Sequence, residues 1–355
     1  MVTAIAHLTG QGTTISLDAN TVKALTSLGV TPSPFGTATL NGTNITFPIT
    51  SGYAEIHQDK SFKPGYVVGS IQHDGAGLTL TKGSTVVTIS NFVVDPGNSM
   101  LYGTVGGKPD VPIATLDGSA LQVTTPGGAV HLDGTNVKLT DTAASALDKA
   151  FGTTAIMPGL SLGIAHIVAT GTANTYTDKV TEVSRLTGTS TSVDLDAKTL
   201  AALTSLGVKP ATVGSATLTG TTISFPITGG FAGIHSDKSA QPGYIVGSII
   251  HQASGLSLTK GSTTVTTSDY VVNPGTSMLY ATVSAGGKTL GYNVPLFFLD
   301  GSKVQTSMVN GTVHLDGTEV ELTAAAASAL NSAFGTNALM PNTPIGVAHI
   351  IVAGS

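Results

Sequence analysis

Cysteine and tryptophan are both absent from this 355-residue chain, and charged residues make up only 10% of it. Without cysteine there are no disulfides, no thiolate-ligated zinc, no iron–sulfur cluster and no thiol nucleophile. Aromatic residues are 5% of the chain, which argues against a carbohydrate-stacking platform. The formal net charge is −5 and no run of like charges occurs. The chain therefore lacks both the basic footprint of a nucleic-acid binder and the charged patch that grips a membrane surface. No apolar stretch approaches the ~20 residues of a transmembrane helix. No G-x-S-x-G elbow, H-E-x-x-H, P-loop or dinucleotide G-x-G-x-x-G before a helix is present, so nothing positively supports an enzyme.

What fills the chain is Gly, Thr, Ser, Ala and Val, with hydrophobic residues at 41%. That is enough apolar material for a sizeable core, and a charge-poor chain of this kind does not read as disordered. A cysteine-free, Thr/Gly-rich β composition reads as a secreted or cell-surface bacterial product. The opening "MVTAIAHLTG" has neither the basic start nor the long apolar run of a signal peptide. The expectation is a leader already removed.

The sequence repeats itself. "MVTAIAHLTGQGTTISLDANTVKALTSLGV" from Met1 returns as "KVTEVSRLTGTSTSVDLDAKTLAALTSLGV" from Lys179, an offset of 178 residues. The offset holds through "SMLY" (Ser99, Ser277) and becomes 183 from "LDG" (Leu116, Leu299) onward. Five residues are therefore inserted around "SAGGKTLGYN", where a Gly-Gly marks a lengthened hairpin. A period this long is domain duplication rather than a solenoid. The spacing predicts a first domain over 1–168, a linker over 169–178 ("ATGTANTYTD"), and a second domain over 179–355.

Each copy reads mostly as strand. "NITFPIT" places Ile45, Phe47 and Ile49 on one face with period two. "GLTLT", "STVVTISNFVV" and "SMLYGTV" follow, bounded by Gly, Pro or Asn. Two segments have helical spacing instead. "LDANTVKALTSLG" offers Asp18 as a cap and Gly29 as a stop, and "LTDTAASALDKAFG" offers Thr140 or Asp141 as a cap and Gly152 as a stop. The expected fold class is all-β: two tandem β-sandwich domains, each with two short helices plugging its ends.

Eight of the nine histidines pair across the repeat: His57/His235, His73/His251, His131/His314 and His166/His349. "PGYVVGSIQH", ending at His73, and "PGYIVGSIIH", ending at His251, put each imidazole on an apolar strand face at the expected strand end. Beside it, Gly69 leaves room for a ligand in the functional reading; a half-buried, satisfied histidine is the plainer alternative. Asp59 and Lys60, like Asp237 and Lys238, read as a solvated loop tip. His131 and His314, in "HLDG", read as exposed residues entering an Asp-Gly turn.

At "GSIQHDGAGLTLTKGSTVVTISNFVV", then "IATLDG" and the late "LT…A" helix near Phe-Gly, the chain resembles the HtaA domain of actinobacterial haem-acquisition proteins. The similarity of element order covers most of each copy, from about Asp18 to Thr170 and from Asp196 to Gly354. It implies a β-sandwich with two helices. It also implies a haem site in which a tyrosine near the first helix ligates the iron and the strand-end histidine hydrogen-bonds that tyrosine. His73 and His251 match the histidine. The segments around the first helices contain no tyrosine, so the resemblance passes that role to Tyr66/Tyr244 or Tyr102/Tyr280 in a rebuilt pocket. The function expected is that of a non-enzymatic, secreted or surface binding protein whose ligand is haem or another small apolar molecule. The alternative is a structural or adhesive surface protein, with a cell-surface or protein partner and no small ligand. Both copies are expected to do the same job.

Overall fold

The computed structural model describes residues 2–60, 66–176, 180–183, 186, 190–240, 243–309 and 312–353. The chain divides into two compact units, Met1–Lys179 with Ser239–Pro242, and Val180–Lys238 with Gly243–Ser355.

The first unit contains β1 (Val2–Leu17), α1 (Ala19–Ser27), β2 (Thr31–Gly36), β3 (Thr39–Asn41), β4 (Asn44–Phe47), β5 (Ser51–His57) and β6 (Val67–Lys82). After these come β7 (Thr85–Asp95), β8 (Met100–Val105), β9 (Lys108–Asp117), β10 (Gln122–Thr124), β11 (Ala129–Leu139), α2 (Asp141–Phe151) and β12 (Ser161–Tyr176). Every ladder is antiparallel. β1 pairs with β5, β5 with β6, and the pairing continues through β7, β8, β9 and β11 to β12. β12 then returns to β1. The two layers of this all-β sandwich are thus one sheet joined into a closed circuit, which leaves few free edges. The short β2, β3, β4 and β10 are annexed to it.

The second unit repeats the order with β13 (Val180–Val183), β14 (Ser190–Leu195), α3 (Ala197–Ser205), β15 (Lys209–Gly214), β16 (Thr217–Thr219), β17 (Thr222–Pro226), β18 (Gly229–His235) and β19 (Ile245–Lys260). It ends with β20 (Thr263–Asn273), β21 (Met278–Ala285), β22 (Lys288–Asp300), β23 (Gln305–Val309), β24 (Thr312–Leu322), α4 (Ala324–Phe334) and β25 (Pro344–Val352). β13 and β14 fall where the first unit has the single strand β1. Among the described residues no helix is long and apolar enough to cross a membrane.

The local physics follows the sequence in most places. Ile45, Phe47 and Ile49 are all buried, as their alternation requires. Asp18 caps α1 by accepting from the backbone N–H groups of Asn20 and Thr21. Thr140, rather than Asp141, caps α2, and Gly152 ends that helix at φ 60°, where a side chain would be strained. The Gly106–Gly107 hairpin turn of the first unit reappears as Gly286–Gly287. The five extra residues lengthen its arms, two in β21 and three in β22, rather than its tip.

Three expectations need correction. Of the linker expected over 169–178, the residues through Tyr176 are strand, with Thr170 opposite Thr9 and Tyr176 opposite Val2, and the last two lie outside the described residues. The strand holding His73 does not end there. β6 runs on to Lys82 through an irregularity between His73 and Gly77. Likewise Asp133–Gly134 is a bulge within β11 and not a turn, because the register slips between Asp133 and Thr135 while β11 keeps its partner β12. An Asp-Gly pair supplies the positive φ that either structure needs, and here the flanking apolar strands continue pairing. By contrast, Asp117–Gly118 does turn, with Asp117 accepting from the Ser119 N–H.

Candidate functional site

β1 and β6 bring Thr13 and His73 together inside the first unit, where both are buried. Thr13 Oγ1 lies 2.7 Å from His73 Nε2, and His73 Nδ1 lies 3.2 Å from the carbonyl oxygen of Phe92 on β7. A carbonyl oxygen only accepts, so Nδ1 carries the ring proton and the threonine hydroxyl donates to Nε2. Burial then lowers the histidine pKa to about 4, against the backbone hydrogen bond to Phe92. The ring is neutral with both nitrogens engaged. The second unit repeats the group: Thr191 Oγ1 is 2.7 Å from His251 Nε2, Tyr270 O is 3.2 Å from Nδ1, and burial lowers the pKa to about 4. Neither imidazole offers a nitrogen to an incoming ligand in this arrangement.

Two cavities of the first unit bear on this group. The smaller, about 110 Å³, is bounded by His73, Phe47 and Phe92, by Thr21, Val22 and Leu25 of α1, and by Leu147 of α2. Both helices therefore close the same chamber instead of plugging opposite ends. The larger, about 260 Å³, is bounded by Tyr66, Leu132, Val137 and Ile167, with the exposed Ser99 and Gly118 at its rim. Thr13, Ile15, Val94 and Leu101 line both chambers and form the partition between them.

In the second unit the cavity beside His251 is about 40 Å³. The cause is legible residue by residue. Phe297 lines that cavity at the position of Ala114, as the matched pairings Leu101–Ala114 and Leu279–Phe297 show. A phenyl ring where the first unit has a methyl group fills the space. The expected equivalence of the two copies does not extend to their interiors.

Tyr66 donates its hydroxyl to Leu121 O at 3.0 Å, and Tyr244 donates to Val304 O at 3.1 Å. Burial pushes both phenols above their usual pKa. The Lys60 ammonium stands 5.7 Å from the Tyr66 ring centroid and that of Lys238 stands 5.5 Å from Tyr244, so these lysines stack on aromatic faces as well as meeting solvent. Tyr102 and Tyr280 lie on β8 and β21 and line none of these cavities. The structure therefore groups Thr13 with His73 around the smaller chamber and places Tyr66 in the larger. Nothing in the sequence singles out Thr13, because a threonine alternating in a strand looks like a surface residue.

The room expected beside His73 at Gly69 is occupied by protein. A Cβ added to Gly69 (φ +151°) would sit 2.4 Å from Tyr53 O, and the same holds for Gly247 against Phe231 O. These glycines permit close approach of neighbouring strands. His57 and His235 are buried on β5 and β18. His131 and His314 are half-buried, not exposed. His166 Nδ1 lies 3.1 Å from Asp133, and His349 lies 3.1 Å from Asp316 and 3.5 Å from Asp194, tying adjacent strands. The described residues include one carboxylate group able to gather around a cation, Asp300, Glu319 and Glu321. It lies where the first unit has Asp117, Asn136 and Lys138, and Lys303 already reaches Glu319 at 3.6 Å.

No family model matches the chain, and no curated protein matches it. A domain-swapped dimer of a variant of the C-terminal domain of HtaA from Corynebacterium glutamicum matches with TM-score 0.30 and 17% identity, over 43% of this chain and 89% of that one. In structure the chain is similar to the C-terminal domain of HtaA itself, with TM-score 0.35 and 12% identity over 48% of this chain and 98% of that one.

Proposed function

We propose that the protein is a non-enzymatic binding protein of the cell surface or secreted space, and that its first unit holds a small apolar molecule inside the sandwich. The observation that carries this is the larger chamber, about 260 Å³ and lined chiefly by aliphatic side chains. An apolar cavity of roughly 150 Å³ stays dry and binds benzene. Burying the ligand's apolar surface supplies about 25 cal/mol per Å². The chamber opens at the exposed Ser99 and Gly118, which gives a ligand a way in. The charge-poor, cysteine-free composition supports the location.

Haem, which the resemblance implied, does not fit these residues. Pockets for drug-sized ligands run to about 300–1,000 Å³, and neither chamber reaches that range. The histidine that matches the family's pattern donates to Phe92 and accepts from Thr13, so its two ring nitrogens are engaged by groups other than a tyrosine.

The test is calorimetric titration of the full chain with benzene, and separately with haemin followed by absorbance. The expected result is benzene binding at one site per chain and no Soret shift. Absence of any benzene binding would overturn the apolar-site reading and favour the structural or adhesive alternative. A Soret shift lost in the double variant His73→Ala, His251→Ala would restore haem.

A further inference from the structure

The two chambers of the first unit differ in character as well as size. The smaller is lined by aliphatic and aromatic side chains, with Thr13, Thr21 and His73 as its polar residues. Each of these three is already engaged. Thr13 and His73 bond each other, and Thr21 Oγ1 donates to Ser161 O. The larger chamber has further hydroxyl-bearing residues in its lining: Tyr66, Ser99 and Thr135. The chambers abut across Thr13, Ile15, Val94 and Leu101. Ile15 and Leu101 are side chains with alternative rotamers, and neither carries a polar atom that would resist displacement.

We infer that the two chambers form one elongated site for a straight-chain alcohol, with the hydroxyl head beside Tyr66 and the alkyl tail passing Ile15 and Leu101 into the smaller chamber. The inference rests on the apolar-site reading above and adds the ligand's shape and head group.

The head group follows from hydrogen-bond sense. Tyr66 has one proton, and it goes to Leu121 O. Toward the chamber the phenol oxygen offers lone pairs, so it recognises a donor. An alcohol has one; an aldehyde, ether or ionised carboxylate has none. No residue lining either chamber is charged, so a carboxylate would be desolvated there without a partner. The Lys60 ammonium lies against the Tyr66 ring and does not line the chamber. The tail follows from the absence of open polar groups at the far end, where α1 and α2 close the smaller chamber.

The experiment is titration calorimetry on the full chain with n-alkanols from butanol to decanol, the matching n-alkanoates, and benzene. Affinity should rise roughly fourfold per added methylene and then level off once both chambers are filled. Alkanoates of equal length should bind more weakly. Leu147→Phe and Ile113→Phe, which enlarge two side chains lining the smaller chamber, should move the plateau to shorter alcohols and leave benzene binding in place. Tyr66→Phe should lower alkanol affinity without changing that for benzene. Benzene binding accompanied by a plateau that neither filling variant moves, or by alkanoates that outbind alkanols, would overturn the elongated-alcohol inference and leave the apolar site standing. No binding by any of these probes would overturn both.

Discussion

Thr13 and His73, sixty residues apart in the chain, meet at 2.7 Å, and Thr191 and His251 repeat the contact at the same distance. Each histidine is held neutral by burial, with a pKa of about 4 against an ordinary 6.5. In the unfolded chain the ring takes a proton near pH 6.5; in the folded protein it does so only near pH 4. Their contribution is thus fully present above pH 6.5 and is lost as the pH falls through that window. Each group represents on the order of 3 kcal/mol. Urea midpoints measured from pH 7.5 to 4 should fall, and the double variant His73→Asn, His251→Asn should flatten that fall. An unchanged slope would show that other groups dominate acid unfolding.

Asp95 acts in the opposite sense. It is completely buried, and desolvation raises its pKa to about 7 although the N–H groups of Asn98 and Gly97 and the Asn98 side chain favour the charged form. Its contribution is present below pH 3.8 and is lost as the pH rises through 7. The second unit has Asn273 at this position, with Oδ1 accepting from the Thr276 N–H. Asp95→Asn should therefore stabilise the first unit by up to roughly 4 kcal/mol at pH 8 and by little at pH 4. Denaturant titrations at the two pH values check this, and equal effects at both would contradict it.

Ala114 and Phe297 set the different interiors of the two units. Phe297→Ala should open a cavity in the second unit at a cost of about 3–5 kcal/mol, and should create a second benzene site. Ala114→Phe, at a fully buried position, should cost about 1–3 kcal/mol through overpacking. Thermal unfolding and benzene stoichiometry read both changes. A Phe297→Ala protein that still binds one benzene per chain would show that the space collapses.

Lys138 lies 2.7 Å from Asp117 and, by that hydrogen bond above all, holds the carboxyl well below the usual carboxylate range. Asp300, the equivalent residue, is lowered chiefly by the backbone N–H of Ser302. Lys138→Gln should raise the Asp117 pKa in a carbon-detected NMR titration and leave Asp300 where it was. With both partners of the pair over a third exposed, the melting temperature should change little.

Much of the fold was legible because strand alternation and helix caps are local. Ile45, Phe47 and Ile49 declared a buried face, and Asp18 and Thr140 declared helix starts. Asp133–Gly134 was misread because a turn and a bulge ask the same thing of the backbone. Only the pairing of distant strands distinguishes them. The histidine pairs were visible, but the partner of His73 was not, since β1 meets β6 through tertiary structure alone. The cavity difference was present in the sequence as "VPIATLDG" against "VPLFFLDG". It went unread because an alanine-to-phenylalanine change acquires meaning only when the position is known to face the interior.

The circuit of strands in the first unit closes where Val2 meets Tyr176, so its seam joins the two ends of the unit's chain. Of the strands in this circuit, the ribosome delivers β12 last. Until then β1 lacks one of its neighbours, and the partly made sheet presents an open edge to whatever surrounds it. Contacts of such long sequence separation also slow folding in free solution. A pulse-labelled refolding experiment should find the amides of the β1–β12 ladder protected late, after those of the β6–β7 hairpin.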